Sequence, residues 1–301
     1  MIEASLLTDQ ELPELADLWS QRLAVAEAGC ALTIDDLSEH ILLHGGEPRA
    51  ILAIDPRGWI VARSDGKLVG FLHCTVGRWP QDDPECLRGI LRAMILAPDA
   101  PSATASVLLR AANAYFRTKT DLTNIIAFHP HSGYPLIDFG RGVVFQEQWQ
   151  IMKALGRDGY RLRQRWLFFE RHFSTHIYEH LPGISDLKLQ IEVVAGDEWS
   201  LILWHEAEQI AVARFLIHPH PQNCAPIRTA SLHKLQVRAD MQRQGIGRWL
   251  MERGVNHLIS HGIQHLLVEA THEDSALHTR LYRLQFRELP LRGYTYEKSY
   301  V

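Results

Sequence analysis

The sequence predicts a mixed α/β chain built as two similarly ordered domains. Three observations carry this. The 301 residues hold about two domains at roughly 150 residues each. Each half contains a strand–tight turn–strand pattern. In each half that hairpin is followed, in the same order, by an apolar strand, a helix-length stretch and another strand. Such an order mixes antiparallel hairpins with strand–helix–strand crossovers, which gives a mixed sheet flanked by helices.

The opening MIEASLLTDQELPEL is acidic and patterned like a capped surface helix rather than a secretory leader. In the first half, Trp59 to Arg63 and Leu68 to His73 flank Ser64-Asp65-Gly66-Lys67, and Asp-Gly is a strong hairpin signal. An apolar strand over 89–96, a helix over 106–118 and a strand over 124–128 follow. The last strand of this half is expected over 148–155 or later. In the second half the hairpin is Trp199 to Trp204, the turn His205-Glu206-Ala207-Glu208, and Gln209 to Ile217. A strand over 230–237 comes next. A helix over 245–261 carries Ile246, Trp249, Leu250, Val255, Leu258 and Ile259 at largely helical spacing. Strands over 265–270 and 294–300 complete the order. The boundary is placed near residue 175, giving domains 1–175 and 176–301, with the stretch over 171–182, together with 184–186, as a linker or a shared element.

Composition narrows the function. Thirty-one Lys and Arg against 35 Asp and Glu give a net charge of −4, without the basic footprint of a nucleic-acid binder. An apolar share of 46% fits a globular core. Cys30, Cys74, Cys86 and Cys224 form no CxxC pair, so neither a disulfide framework nor a cysteine–zinc site is expected. No apolar run approaches the roughly 18 residues of a membrane span. The expectation is a cytoplasmic protein with neither nucleic-acid nor membrane partners.

The stretch with the most chemistry is Leu235-Gln236-Val237, a short loop, then Gln242-Arg243-Gln244-Gly245-Ile246-Gly247-Arg248 at the start of a helix. Glycines there let backbone approach a ligand closely. The free N–H groups and dipole of a helix N-terminus favour an anion such as pyrophosphate. Arg243 and Arg248 add positive charge.

At these residues the chain resembles the GNAT superfamily of acyl-CoA-dependent N-acyltransferases, whose signature [QR]-x-x-G-x-[GA] follows an apolar strand. Gln242, Gly245 and Gly247 match the signature, and Leu235 and Val237 match the strand. The downstream strand Leu266 to Ala270 and the helical stretch 274–286 resemble the family's next elements. The likeness covers roughly residues 187–300. It implies two tandem GNAT-like domains with acetyl-CoA as cosubstrate. Backbone N–H groups of residues 242–248 would cradle the pyrophosphate, and Leu235, Gln236 and Val237 would pair with the pantetheine arm. One departure stands out: Tyr282 lies four residues before Phe286, where the family usually has its Tyr five before, and Leu281 holds that place.

The first half reads as a degenerate copy. Aligning Leu96 with Val237 puts Thr104 at Gly245 and Ser106 at Gly247, with Pro98 and Pro101 in the loop. It is expected not to bind coenzyme A, but to pack against the second half and shape the acceptor site.

Acyl transfer to an amine needs a base for the ammonium, a donor for the oxyanion and an acid for the leaving thiolate. The candidate bases are His233 and Glu269, with His272 and Glu273 as weaker ones. The candidate acid is Tyr282, and the oxyanion donor is a strand N–H near 235–237. Tyr294 and Tyr296 are expected to pack or line the acceptor pocket. The acceptor is expected to be a small-molecule amine. The alternative is a regulatory module that holds acyl-CoA without turnover. A third reading is an interaction protein that keeps the fold and binds nothing. Among 17 histidines, His129-Pro130-His131 and His218-Pro219-His220 have chelating spacing, but without acidic or Cys partners nearby they read as loop residues, and no metal is expected. Arg161 to Trp166 alternates as a strand with one wet face.

Overall fold

A computed structural model of the chain describes residues 1–26, 33–38, 52–78, 86–134, 142–195, 198–218 and 228–300. Cys30, Cys224, Pro219 and His220 lie outside the described residues. The chain divides into two compact units. One comprises Met1–Trp166, Pro221–Cys224 and Leu291–Val301, and the other Leu167–His220 and Ala225–Pro290. This differs from a single cut at 175: the last eleven residues belong with the first unit.

The first unit begins with a strand, β1 (Ile2–Leu6), not the expected helix. The helix α1 (Leu12–Ala26) starts only after Thr8 and Glu11 form a capping box. A short α2 (Ile34–Leu37) follows. The hairpin β2 (Leu52–Ser64) and β3 (Lys67–Arg78) turns through Asp65 and Gly66, both at positive φ, as a type I′ turn requires. Next come β4 (Leu87–Leu96), α3 (Thr104–Arg117) and β5 (Leu122–Ala127). The sheet order is β1-β2-β3-β4-β5, with β4 and β5 parallel and the others antiparallel. Beyond β5 the sheet is continued by residues 291–299, which pair Tyr296 with Ala127. That pairing is why the C-terminal segment belongs to this unit. Leu108, Leu109, Ala112 and Phe116 of α3 bury one helical face on the sheet.

The expected strand over 148–155 is a helix instead. After β6 (Val144–Phe145), α4 (Trp149–Arg157) buries Ile151, Ala154 and Leu155, spaced i, i+3, i+4. The strand comes later, as β7 (Arg161–His172), which starts exposed and becomes buried from Trp166. Trp166 donates its indole N–H to the Thr295 hydroxyl at 2.9 Å.

The second unit takes the end of β7 and then β8 (Lys188–Ala195), β9 (Glu198–His205), β10 (Glu208–Ile217), β11 (Thr229–Val237), α5 (Ile246–Ser260), β12 (His265–Thr271), α6 (Ser275–Arg283) and the start of β13 (Arg287–Ser299). Its sheet order is β7-β12-β11-β10-β9-β8. The β9–β10 turn places Glu206 and Ala207 at positive φ. Helix α5 packs Ile246, Leu250, Met251 and Val255 into a core with Leu201, Phe215 and Leu266. Among the described residues no helix is long and apolar enough to cross a membrane.

Candidate acyl-transfer site

Two strands of the second unit pair and then part. Strands β11 and β12 run parallel from Thr229↔His265 to Leu232↔Val268, and the pairing stops there. Strand β11 stays bonded to β10 as far as Val237↔Ala211. The edge of residues 234–237 that faces away from β10 therefore lies beyond the paired part of β12, and it holds backbone polar groups that need a partner. His233 marks the change. Lys234 pairs with Arg214 and Leu232 with Phe215, leaving His233 as the extra residue of a β-bulge.

The parting strands open a groove. Leu232, His233, Lys234 and Leu235 line one side; Glu269 of β12 and Asp274, Leu277 and Arg280 at α6 line the other. The two candidate bases thus face one space. His272 and Glu273 sit outside it, exposed in the turn after β12.

The groove runs toward the start of α5. Gly245 caps that helix at φ +84°, a left-handed conformation that costs a side-chain-bearing residue about 1–2 kcal/mol, and a Cβ there would meet nothing within 4 Å. Arg243 is also left-handed, at φ +64°. Trp249 N–H donates to the Gly245 carbonyl at 3.0 Å, so Ile246, Gly247 and Arg248 carry first-turn N–H groups with no intrahelical acceptor. A Cβ on Gly247 would come within 3.0 Å of Arg280 Nη1 and 3.4 Å of Val237 Cγ2. The glycine therefore lets the α6 guanidinium lie over the first turn of α5. Gln242 donates to the Val237 carbonyl at 3.2 Å, and Gln244 to the Asp240 carbonyl at 3.3 Å, which hold the loop on itself.

The arginines divide by role. The Arg248 side chain donates to Glu252 Oε1 at 2.8 Å and contacts His180 Nε2 at 2.9 Å. Glu252 is buried and also accepts from the His180 backbone N–H at 2.7 Å. The Arg248 charge thus fastens the chain before β8 onto α5, which leaves its backbone N–H as the group it offers at the helix start. Among the described residues, Arg243 and Arg280 have no ion pair. Arg280 was not among the residues singled out from sequence. Its signal was its spacing from Ala276 and Leu277 on one face of α6.

Tyr282 falls elsewhere. It is 52% exposed, its hydroxyl donates to Glu288, and its ring packs edge-on against Phe169. Two positions beyond Arg280 on a helix is about 200° around the axis, so Tyr282 turns away from the groove. Leu281, in the family's usual Tyr register, is fully buried. The structure does not bring Tyr282 to the other candidates, and its general-acid role has no geometric support.

The first unit repeats this strand geometry with different contents. Parallel β4–β5 pairing ends at Leu91↔Ala127, and Arg92 is the extra residue of a bulge between Leu91↔Cys74 and Ala93↔His73. The offset that aligns Leu96 with Val237 also aligns Arg92 with His233. Arg92 is buried, donates to the Ser132 and Gly133 carbonyls, and lies 4.4 Å from the Tyr134 ring centroid. His73 shares a hydrogen bond with the Tyr134 hydroxyl. Trp19, Phe128 and Val144 line the rest of the space. At the loop, Thr104 is buried and Ala103 caps α3 with φ −85°, not a left-handed glycine. His129 of the first histidine triplet accepts its own His131 N–H at 3.2 Å, as a loop residue does.

Residues 162–286 match the acetyltransferase (GNAT) family. This part of the chain is similar to GNAT acetyltransferase domains. The whole chain has the tandem GNAT fold. It is similar to a tandem GNAT protein from the clavulanic acid biosynthesis pathway, at 12% identity and TM-score 0.69, with 99% of this chain and 98% of that chain covered. It is also similar to a GCN5-related N-acetyltransferase from Sphaerobacter thermophilus, at 9% identity and TM-score 0.65, covering 99% and 95%. A search of curated protein sequences finds no match. The GNAT fold serves acyl transfer in general and typically binds acyl-CoA. In the present domain the parted strands, the left-handed Gly245 and the open first turn of α5 form a cradle that fits such a group.

Proposed function

We propose that this chain transfers an acetyl group from acetyl-CoA to the primary amine of a small molecule, by direct attack, at the groove of the second unit. The observation that carries the proposal is the alignment of three features in one groove: parted strand edge, helix N-terminus and two proton acceptors. When bound, acetyl-CoA supplies the activated thioester. The edge of residues 234–237 offers N–H and C=O groups to the amides of the pantetheine arm. The N–H groups of Ile246, Gly247 and Arg248, with the charges of Arg243 and Arg280, hold the phosphates. A strand N–H near Leu235 to Val237 stabilises the oxyanion. His233 takes the proton from the attacking ammonium, since imidazole titrates near neutral pH, and Glu269 across the groove is the second acceptor. With Tyr282 turned away, the thiolate leaves without that acid.

The position of Tyr282 also favours a second reading, a module that holds acyl-CoA without turnover. Calorimetry with acetyl-CoA and thiol release over a panel of primary amines separate the two. Micromolar binding with amine-dependent thiol release is expected. Binding with no release for any amine would establish the second reading, and no binding would overturn both.

A further inference from the structure

We propose that Glu170, His172 and His265 form a binding site for one zinc-class divalent ion, at the end of the sheet opposite the acyl groove. The three residues come from neighbouring strands of the second unit. Glu170 and His172 stand two apart on β7, so they share a face of the sheet. His265 opens β12, the adjacent strand. One ligand atom from each lies within 4.8 Å of the others. Two imidazoles and a carboxylate are the donor set that zinc favours over magnesium or calcium.

The surroundings are arranged as ligands require. His265 is buried, with Nδ1 3.2 Å from the Thr229 hydroxyl and Nε2 3.3 Å from Glu170 Oε2. The tautomer that donates Nδ1–H to Thr229 aims the Nε2 lone pair at the Glu170 carboxylate. In the other tautomer Nε2–H donates to Glu170, and a bound ion takes the place of that proton. A hydrogen bond on the second ring nitrogen is the usual means of orienting a metal-binding histidine. The other Glu170 oxygen accepts from Arg287, which fixes the carboxylate plane.

His172 completes the set. Its ring stacks on His265 with centroids 4.1 Å apart and planes 1° apart. The in-plane lone pairs of stacked rings do not meet, so capture turns the His172 ring. His172 is exposed on the side away from His265. Tetrahedral zinc with bonds near 2.0–2.1 Å needs donors about 3.3 Å apart, so a contraction of roughly 1.5 Å closes the site, with water as the fourth ligand. The ion would clamp β7 to β12 and takes no part in the groove, which uses Glu269 near the other end of β12.

The test is zinc titration of the full-length, chelator-treated protein at pH 7.5, read by calorimetry and by melting temperature, with cobalt absorption reporting the ligand set. Expected are one ion per chain, a raised melting temperature, and at least about tenfold weaker binding in His172→Ala and Glu170→Gln. His172 is exposed, so its variant folds; circular dichroism checks both. His257→Ala should leave binding unchanged. No stoichiometric binding, or equal affinity in wild type and His172→Ala, overturns the site.

Discussion

The bulge residues of the two units stand at the same point of the same strand and do opposite things. His233 lines an open groove with Lys234, Glu269 and Arg280 around it. Arg92 is buried and holds the carbonyls of Ser132 and Gly133 while Tyr134 covers it. Loss of the loop glycines is thus only half of what distinguishes the copies. In the first unit the space between the parted strands is also bounded by aromatic and apolar side chains. The two units share the backbone scaffold, bulge included, while the space is roomier and more polar in the second unit and smaller and more apolar in the first. Fold and site are separable layers: the two units share a strand geometry and differ in what lines it.

The largest expected effect tests the open side. Gly245→Trp fills the approach to the first turn of α5; a Cβ there meets no atom within 4 Å, and the left-handed backbone costs about 1–2 kcal/mol of stability. Acetyl-CoA affinity should fall more than about 100-fold, or roughly 2.7 kcal/mol, with an unchanged circular dichroism spectrum. Unchanged affinity would remove the phosphate assignment. The first unit is tested by Arg92→Met. It strands two buried carbonyls and loses the stack on Tyr134, at about 2–4 kcal/mol of stability in urea unfolding. Acetyl-CoA affinity should not move. Native stability in that variant would break the claim that this side chain holds the first cleft together.

The same contrast shows what sequence reveals and what it hides. The hairpins were legible because Asp65-Gly66 has one good turn geometry. The glycine loop was legible because left-handed backbone and close approach restrict the residue at Gly245 and Gly247. The helix at 149–157 was misread as a strand because Ile151, Ala154 and Leu155 form too short an apolar run to fix a period. The return of residues 291–301 to the first unit was hidden because pairing between distant strands leaves no local mark. The Glu252–His180–Arg248 network and the Arg92 plug were hidden for the same reason: each joins residues far apart in the chain. Tyr282 was placed by motif distance, and a change of one residue on a helix turns a side chain by about 100°.

Two smaller effects sharpen the reading of the open groove. His233→Ala should lower kcat about 10- to 100-fold and leave the KM for acetyl-CoA within about threefold, because a general base acts in the chemical step. Loss of the acidic limb of the pH–rate profile in that variant would separate the base from a positioning role. If rate and profile both stay, Glu269 is the base to test next. Arg280→Gln should weaken acetyl-CoA binding by about tenfold and flatten its salt dependence, since an exposed guanidinium acts by screened attraction. An unchanged salt slope would leave the backbone N–H groups as the whole anion site.

The smallest effect concerns the helices behind the two clefts. By the offset that matches the strands, Phe116 of α3 corresponds to His257 of α5. Phe116 is fully buried beside Gly89. His257 is half-buried against the Trp199 and His261 rings, with His176, Glu179 and Arg253 around it. Burial, then His261 and Arg253, hold His257 below its ordinary value. Its unfolded form therefore binds a proton first as pH falls. Stability should be complete above about pH 6.5 and decline as pH drops through the lower folded value. Solvent screening keeps the loss under about 1 kcal/mol. Hydrogen exchange between pH 7 and 5 should show α5 losing protection before α3, and His257→Phe should bring the two helices level. Equal acid sensitivity of α3 and α5 in the wild type would mean that the acid response arises from groups other than this histidine.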